Sequence, residues 1–190
     1  MRAFIAISLP EEIKKFLAHV QDELKATGAD VKWVKPKNIH LTLKFLGEID
    51  EEKLKAVNEI LKETAETQKQ YTITVGQAGA FPNINSPRVI WMGIEKGTDT
   101  LKQTAQVLDE KLQKIGFPKE EKPFSAHITL GRVRSARNRT KLTETLKKLS
   151  EAQLQHTSEF PVTAITFFKS TLTPSGPIYE IVNVATLVTT

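Results

Sequence analysis

The chain contains no cysteine, which excludes several kinds of site at once. None of its 190 residues is Cys, so disulfide frameworks, thiolate nucleophiles and cysteine-ligated zinc or iron–sulfur centres are all excluded. Its apolar runs extend for only a few residues, far below the ~20 that a membrane-spanning helix needs. No Gly-x-Gly-x-x-Gly and no Walker-type loop occurs, so the sequence indicates neither dinucleotide binding nor P-loop chemistry.

The composition indicates an ordinary folded protein with a mild positive charge. Hydrophobic residues make up 39% and charged residues 26% of the chain, which argues against disorder and low complexity. The net charge of +5 is compatible with an anionic partner such as RNA or a nucleotide. Four arginines between residues 132 and 139 leave two interpretations open, a solvated loop or contacts with phosphate groups. Residues 1–10 alternate like a first strand rather than a signal peptide, so we expect a cytoplasmic location.

Two periodicities alternate along the chain and predict its elements. A period of two predicts strands at Arg2–Leu9, Val31–Val34, Ile39–Leu46, Tyr71–Val75, Val89–Ile94, His127–Val133, Val162–Leu172 and Ile178–Leu187. A helical period predicts helices between Pro10 and Gly28, and at Asp50–Thr67, Thr98–Ile115 and Lys141–Leu149. Residues Phe81–Pro87 are predicted as a loop. Because no linker is long enough to separate domains, we expect one α+β unit over residues 1–190, with mostly antiparallel sheets and outer helices.

A tetrad of the form His-apolar-Thr-apolar occurs twice, nearly half the chain length apart. The copies are His40–Leu43 and His127–Leu130, and they use two of only four histidines. Residues two apart on a strand project from the same face, so each His shares a face with its Thr while the aliphatic residues pack on the other. A single copy is usually a solvated strand face. Two copies suggest two similar lobes about a pseudo-two-fold axis, with both imidazoles over one substrate in the cleft between them.

Paired proton transfer on a phosphate is the chemistry that such a site favours. One imidazole takes a proton and the other donates one, while threonine hydroxyls bind anionic oxygens. Rings that both reach one phosphate are expected to lie roughly 5–8 Å apart. Two histidines fall short of the ligands that zinc needs, and no serine lies in a nucleophile-elbow motif. Lys44 is predicted to share a face with His40 and Thr42, but it is left out of the site.

The doubled tetrad resembles the signature of the 2H phosphoesterases, and its surroundings resemble the RNA 2′,3′-cyclic phosphodiesterase branch, once described as 2′-5′ RNA ligases. The resemblance runs nearly end to end, through residues 4–7, 33–34, 38–47, 81–82, 87–91, 124, 131–133, 170–174 and 176–179. Family members commonly have proline before the second histidine, where this chain has Ala126. That departure loosens the local backbone and leaves the catalytic atoms in place.

The resemblance implies hydrolysis of RNA or nucleotide 2′,3′-cyclic phosphate ends to 2′-phosphomonoesters, without a metal or cofactor. His127 is then the proton acceptor and His40 the proton donor, and Thr42 and Thr129 hold phosphate oxygens. Arg132 matches the family's arginine after the second tetrad and is a candidate phosphate clamp. Strict strand alternation places it opposite His127 unless Gly131 interrupts the pleat.

Several expectations and alternatives accompany this interpretation. The partners are RNA with 2′,3′-cyclic phosphate ends or cyclic nucleotides, with no membrane contact, and a monomer is expected. The alternatives are 2′-5′ RNA ligation by the same residues, or a non-catalytic nucleotide- or RNA-binding module. Three aromatic residues are candidates either for base stacking or for the core, namely Trp33, Trp91 and Phe124. His19 and His156 are predicted to be ordinary surface histidines.

Overall fold

A computed structural model describes residues 1–152 and 158–189 as two antiparallel sheets with helices packed against them. The strands are β1 (Arg2–Ser8), β2 (Val31–Trp33), β3 (His40–Glu48), β4 (Tyr71–Asn83), β5 (Ser86–Lys96), β6 (His127–Val133), β7 (Glu159–Val162), β8 (Ala164–Thr173) and β9 (Gly176–Thr186). The helices are α1 (Glu11–Lys25), α2 (Glu51–Thr67), α3 (Thr98–Gln113) and α4 (Arg139–Glu151), with a 3-10 turn at Pro36–Asn38.

Each sheet carries one tetrad. The first sheet has the strand order β3-β1-β8-β9 and the second has the order β2-β6-β5-β4-β7. Every paired strand within them is antiparallel to its neighbour. The first tetrad begins β3 and the second begins β6, and these two strands contact each other. The predicted α+β fold class with antiparallel sheets is confirmed; the single bilobal domain, with its tetrads at 40–43 and 127–130, stays a prediction.

The helices cover one face of each sheet, as their sequences dictate. Helix α2 begins after Asp50, whose side chain accepts a hydrogen bond from the Lys53 amide at 2.8 Å. Its apolar stripe is buried where α2 packs against β8 and β9, while α3 contacts β3 and α4 contacts β4. The opposite face of each tetrad strand carries the histidine and the threonine, which are partly exposed. No helix within residues 1–152 and 158–189 is both long and apolar enough to cross a membrane.

The prediction of a loop at Phe81–Pro87 was wrong, because these residues extend the β4–β5 hairpin. Strand β4 continues to Asn83 and β5 begins at Ser86, so that the turn is only two residues long. Pro82 pairs with Pro87 beside a register shift, close to the end of the hairpin. Prolines are tolerated there because few ladder hydrogen bonds remain to be lost. Strand β7, which contains Pro161, lies at the edge of the second sheet and was not predicted.

Both tetrads end in the same backbone irregularity, a β-bulge at the fourth residue. On β3, Thr42 pairs with Ala6 and Lys44 pairs with Ile5, which leaves Leu43 as the extra residue. On β6, Thr129 pairs with Trp91 and Gly131 with Ile90, which leaves Leu130 as the extra residue. An extra residue shifts the side-chain alternation by one position. Residues beyond each bulge therefore lie on the face opposite to the one that strict alternation predicts.

The prediction that Lys44 shares a face with His40 is wrong for this reason. The bulge turns Lys44 toward the covered face, where only 3% of it is exposed. Its ammonium lies 2.6 Å from Asp109 Oδ1 on α3 and 2.9 Å from Glu120 Oε1, and it also donates to the Pro118 carbonyl. Lys44 thus anchors α3 and the chain after it to the back of β3.

We expect Lys44→Ala to lower the free energy of unfolding by about 3 kcal/mol, because it leaves the Asp109 carboxylate without its buried counter-charge. Urea unfolding measures this. The matched control is Lys169→Ala, whose 3.7 Å pair with Glu180 is exposed on both sides and is worth less than about 1 kcal/mol. Equal losses in the two variants would contradict the structural role of Lys44.

Candidate active site

The two tetrad histidines make the same hydrogen bond to the backbone. The Nδ1 atom of His40 lies 2.7 Å from the Asn38 carbonyl oxygen, and that of His127 lies 2.7 Å from the Ser125 carbonyl oxygen. A carbonyl oxygen only accepts hydrogen bonds, so Nδ1 carries the hydrogen in both rings. Each neutral imidazole therefore has its lone pair on Nε2. The two rings are held in the same tautomer, with Nε2 as the atom available for chemistry.

The predicted alternation within the tetrads is confirmed. The four aliphatic residues, Leu41, Leu43, Ile128 and Leu130, are at most 5% exposed and belong to the hydrophobic core. The histidines and threonines between them are partly exposed. In the first tetrad, His40 Nε2 lies 2.9 Å from the Thr42 hydroxyl oxygen, which donates to it when the ring is neutral. The predicted separation of the two histidine rings stays a prediction.

Aromatic rings surround both histidines. Most of the rings near His40 come from the β8–β9 hairpin, and those near His127 come from the β4–β5 hairpin. The His40 ring lies 4.8 Å from Phe4 and 5.3 Å from Tyr179 between centroids, and Phe168 is also close. The His127 ring lies 5.0 Å from Phe81 and 6.5 Å from Trp91. These rings fix the imidazole positions by packing. The alternation within β8, β9 and β4 carries the signal for them, but the sequence interpretation did not use it.

Of the three aromatic candidates, only Trp91 lies beside a tetrad histidine in the described part of the chain. Trp33 and Phe124 pack against the hydrophobic core, as the alternative interpretation expected. Trp91 covers Gly79 so closely that a Cβ atom there would clash with the indole ring. A glycine is therefore required at position 79 for the indole to keep its place over β4 and beside His127.

Burial controls the proton affinity of His40. Desolvation lowers the pKa of its imidazole below the usual 6.5, the hydrogen bond to the Asn38 carbonyl opposes this, and the positive charge of Lys14 lowers the pKa further. The free protein therefore favours the neutral ring at neutral pH. A bound anion would reverse part of this effect, because a negative charge nearby favours the imidazolium form.

Arg132 lies on the face of His127, because the bulge at Leu130 shifts the alternation. Arg132 pairs with Val89, two positions along β5 from the Trp91 that pairs with Thr129. The sequence allowed for an interruption of the pleat at Gly131. The structure has the interruption one residue earlier, at Leu130. Burial raises the pKa of the Tyr179 phenol above its usual 10.0, and the charges of Arg2 and Arg132 oppose that rise. Arg132 on the second sheet thus lies within electrostatic reach of Tyr179 on the first.

Phe45 holds the position on β3 that Arg132 holds on β6, two residues beyond the bulge. It pairs with Phe4 across β1 and is 66% exposed, the most exposed of the large hydrophobic residues that the structure describes. Sequence reasoning missed it. The signal was present, because a repeated tetrad predicts that the residues following both copies are equivalent.

A buried glutamine links the segment that leads into β3 to the second tetrad strand, β6. Gln21 on α1 is fully buried, and its Nε2 donates to the Val34 carbonyl at 2.8 Å and to the Leu130 carbonyl at 3.0 Å. The Val34 amide donates to the same Leu130 oxygen at 2.9 Å. Residues 34–39 lead from β2 in the second sheet to β3 in the first. Gln21 therefore fixes this crossing segment at the bulge of the second tetrad.

The remaining candidates lie apart from the tetrads or outside the described residues. His19 is exposed on α1, as predicted, whereas His156 falls in residues 153–157, outside the described part. Within the arginine cluster, Arg137 Nε donates to the Gly28 carbonyl at 3.2 Å, so this arginine anchors a loop. No group of three or more His, Asp or Glu within residues 1–152 and 158–189 is arranged to hold a metal ion.

Comparison with known proteins identifies the class to which this fold and pair of tetrads belong. The family model described as LigT like Phosphoesterase matches residues 7–91 and 93–179. The chain belongs to the LigT-like phosphoesterases, which are 2H phosphoesterases. The resemblance predicted from the doubled tetrad is confirmed.

Individual relatives make the assignment narrower. The chain is 42% identical over 182 residues to the RNA 2′,3′-cyclic phosphodiesterase of Methanocaldococcus jannaschii, covering 96% of this chain and 98% of the relative. It is 39% identical to the RNA 2′,3′-cyclic phosphodiesterase of Thermotoga maritima, covering 95% and 92%. The crystal structure of E. coli LigT complexed with 3′-AMP has a TM-score of 0.76 at 29% identity, covering 98% and 97%. These names support the predicted enzyme class.

We expect Gln21→Met to lower the free energy of unfolding by about 2 kcal/mol, because it removes both hydrogen bonds and leaves the Val34 carbonyl without this donor. Urea unfolding measures the loss, and hydrogen exchange of the Val34 amide is expected to accelerate. The control is Gln106→Met on the exposed face of α3, which is expected to change stability by no more than about 0.5 kcal/mol. Unchanged exchange at Val34 would contradict the role of Gln21.

Proposed function

We propose that this chain hydrolyses 2′,3′-cyclic phosphate ends of RNA or nucleotides to 2′-phosphomonoesters by paired-histidine catalysis, without a metal ion. The observation that carries the proposal is the repeated Nδ1 hydrogen bond, which leaves Nε2 of both His40 and His127 as the reactive nitrogen. Such a pair is suited to acid–base catalysis, because one ring accepts a proton at Nε2 while the other donates one from the same atom. The names of the relatives support the substrate class.

The reaction needs one proton in and one proton out. Nε2 of neutral His127 takes a proton from the attacking water, whose oxygen forms a bond to phosphorus. The bond between phosphorus and the 3′ oxygen breaks, and that oxygen receives the proton from His40 Nε2–H. The product carries a 2′-phosphate and a 3′-hydroxyl, and proton exchange with solvent returns each imidazole to its starting state. The assignment of donor and acceptor follows the family resemblance.

Three further side chains hold the phosphate in this scheme. The Thr42 and Thr129 hydroxyls donate to non-bridging oxygens, and Arg132 offsets the charge that develops on them. Arg132 lies on the face of His127 beyond the bulge, which supports this role. In the free protein the Thr42 hydroxyl lies against His40 Nε2, so it turns toward the phosphate when His40 takes up its proton.

The substrate itself supplies the condition for His40 to act as a donor. Burial and Lys14 hold the pKa of His40 below 6.5 in the free protein, so the ring is neutral there at pH 7. A cyclic phosphate carries a negative charge, which stabilises the imidazolium form once it is bound. Protonation of His40 and binding of the phosphate are therefore coupled.

The test is incubation of the protein with a nucleoside 2′,3′-cyclic phosphate in the presence of a chelator, followed by identification of the product. We expect a 2′-phosphate, and we expect His40→Ala and His127→Ala each to lower kcat by about 10²–10⁴-fold. The control is His19→Ala, which changes an exposed histidine on α1 and is expected to retain wild-type turnover. A 3′-phosphate product, a requirement for metal, or equal loss in all three variants would refute the proposal.

The pH dependence follows from the lowered pKa of His40. The rate falls as the proposed donor, His40, loses its proton. In kcat/KM, which reports the free enzyme, we expect the fall to begin below pH 6.5, whereas in kcat it lies at higher pH because the bound phosphate retains the His40 proton.

The same profiles assign the two roles. The residual activity of His127→Ala should keep the fall that His40 causes, and that of His40→Ala should lose it. The opposite pattern would exchange the donor and the acceptor.

A further inference from the structure

A pocket of about 370 Å³ opens beside His40, and it is built differently from the phosphate site described above. Its lining combines two lysines, two small polar residues, His40 and a set of apolar side chains, namely Ser8, Lys14, Lys37, Asn38, Ile39, His40, Phe168, Ile178, Tyr179 and Ile181. The threonines, His127 and Arg132 are not part of this lining in the described structure. His40 is thus the wall that the pocket shares with the site of reaction.

One side of the pocket is positively charged. Lys14 lies in the first turn of α1. Its ammonium donates a hydrogen bond to the Lys37 carbonyl at 3.3 Å, which brings the two lysine residues together. The carboxylate paired with Lys14 is that of Glu11, which is 3.7 Å away and 81% exposed. The Lys14 side chain is only 19% exposed, but at this distance the solvent around the Glu11 carboxylate weakens the pair, so little of the charge is neutralised. The pocket lining contains no Asp or Glu, so the two ammonium groups favour an anion.

The other side is apolar and lies open to solvent. Ile178 and Ile181, two large apolar residues of β9, are 51% and 62% exposed, which leaves apolar surface open to solvent. The Tyr179 ring stands edge-on to His40, with 5.3 Å between the centroids. An aromatic and aliphatic wall facing two cations matches a nucleotide, because the base packs on the wall while the phosphate meets the ammonium groups.

An RNA substrate of the proposed function carries a further nucleotide next to the reacting end. The cyclic phosphate is accounted for by the two threonines and Arg132, and a cyclic mononucleotide has no other phosphate. An RNA chain has one more, the phosphodiester on the 5′ side of the terminal ribose. We propose that this pocket binds the nucleotide that precedes the cyclic end, with its phosphate on Lys14 and Lys37 and its base on Tyr179 and Ile181. The inference rests on the proposed function and makes RNA chains better substrates than free cyclic mononucleotides.

Occupation of the pocket also affects the chemistry. Lys14 is close enough to lower the pKa of His40. A phosphate that neutralises the Lys14 charge removes that effect, so the proton donor is more fully protonated in the complex with a chain. Chain substrates are therefore expected to gain in kcat as well as in KM.

The experiment compares three substrates that differ only on the 5′ side of the cyclic end: a nucleoside 2′,3′-cyclic phosphate, its 5′-phosphorylated form, and the dinucleotide ending in the same cyclic phosphate. For the wild type we expect kcat/KM to rise along this series, with the dinucleotide at least about tenfold above the nucleoside. The 5′-phosphorylated form isolates the lysine contribution from that of the apolar wall. The advantage of both phosphate-bearing substrates should decrease as salt is raised.

The variant Lys14→Met/Lys37→Met removes both charges while retaining side-chain length. We expect it to bring the ratio of dinucleotide to nucleoside kcat/KM down to within about threefold of one. Ile181→Ser is expected to lower the dinucleotide advantage without affecting that of the 5′-phosphorylated form. The matched control is Lys55→Met, an exposed lysine on α2, which leaves the ratio at its wild-type value. Thermal unfolding of each variant checks that it is folded.

Failure of this inference can be distinguished from failure of the proposed function. A wild type that opens the nucleoside cyclic phosphate with no preference for the dinucleotide overturns this inference and leaves the proposed function standing. A ratio unchanged in Lys14→Met/Lys37→Met also overturns it. A wild type that opens none of the three substrates overturns both.

Discussion

The arrangement of the candidate site depends on two backbone hydrogen bonds, from the Nδ1 atoms of His40 and His127 to the carbonyl oxygens two residues earlier. Each bond fixes both the orientation and the tautomer of its ring. The acceptors are main-chain atoms of Asn38 and Ser125, so the two Nε2 atoms are positioned by where β3 and β6 begin. Their precision comes from the sheet scaffold and from the buried Gln21 that joins the crossing segment to the second tetrad.

The two bulges determine which further side chains lie on the same face as the tetrad histidines. A strand without them would turn Lys44 toward the face of His40 and Arg132 away from the face of His127. The structure has the opposite arrangement. Lys44 is buried against Asp109, where it secures α3, and Arg132 extends on the face of His127. The same device in both tetrads thus separates a residue that stabilises the fold from residues available to a ligand.

Local patterns in the sequence predicted most of the elements and the faces of the tetrads, because burial of aliphatic residues imposes a period on strands and helices. The misses have a common physical origin in pairing between distant segments. The residues at Phe81–Pro87 contain turn-forming residues, yet pairing between β4 and β5 extends both strands through them. A bulge depends on the register with the partner strand, so neither Lys44 nor Phe45 could be placed from the alternation of β3 alone. Gln21 looked like any helix residue, since its partners are remote carbonyls.

The doubled bulge has a further consequence for the geometry of attack. Two halves with identical side chains would hold a phosphodiester equally well in either direction, and each direction would break a different ester bond. In this chain the equivalent positions carry a cation at Arg132 and an aromatic ring at Phe45, 66% exposed. In the proposed complex the two directions of binding therefore differ in free energy. A repeated backbone with unlike residues at matching points is asymmetric, and in the proposed reaction that asymmetry selects one of the two possible products.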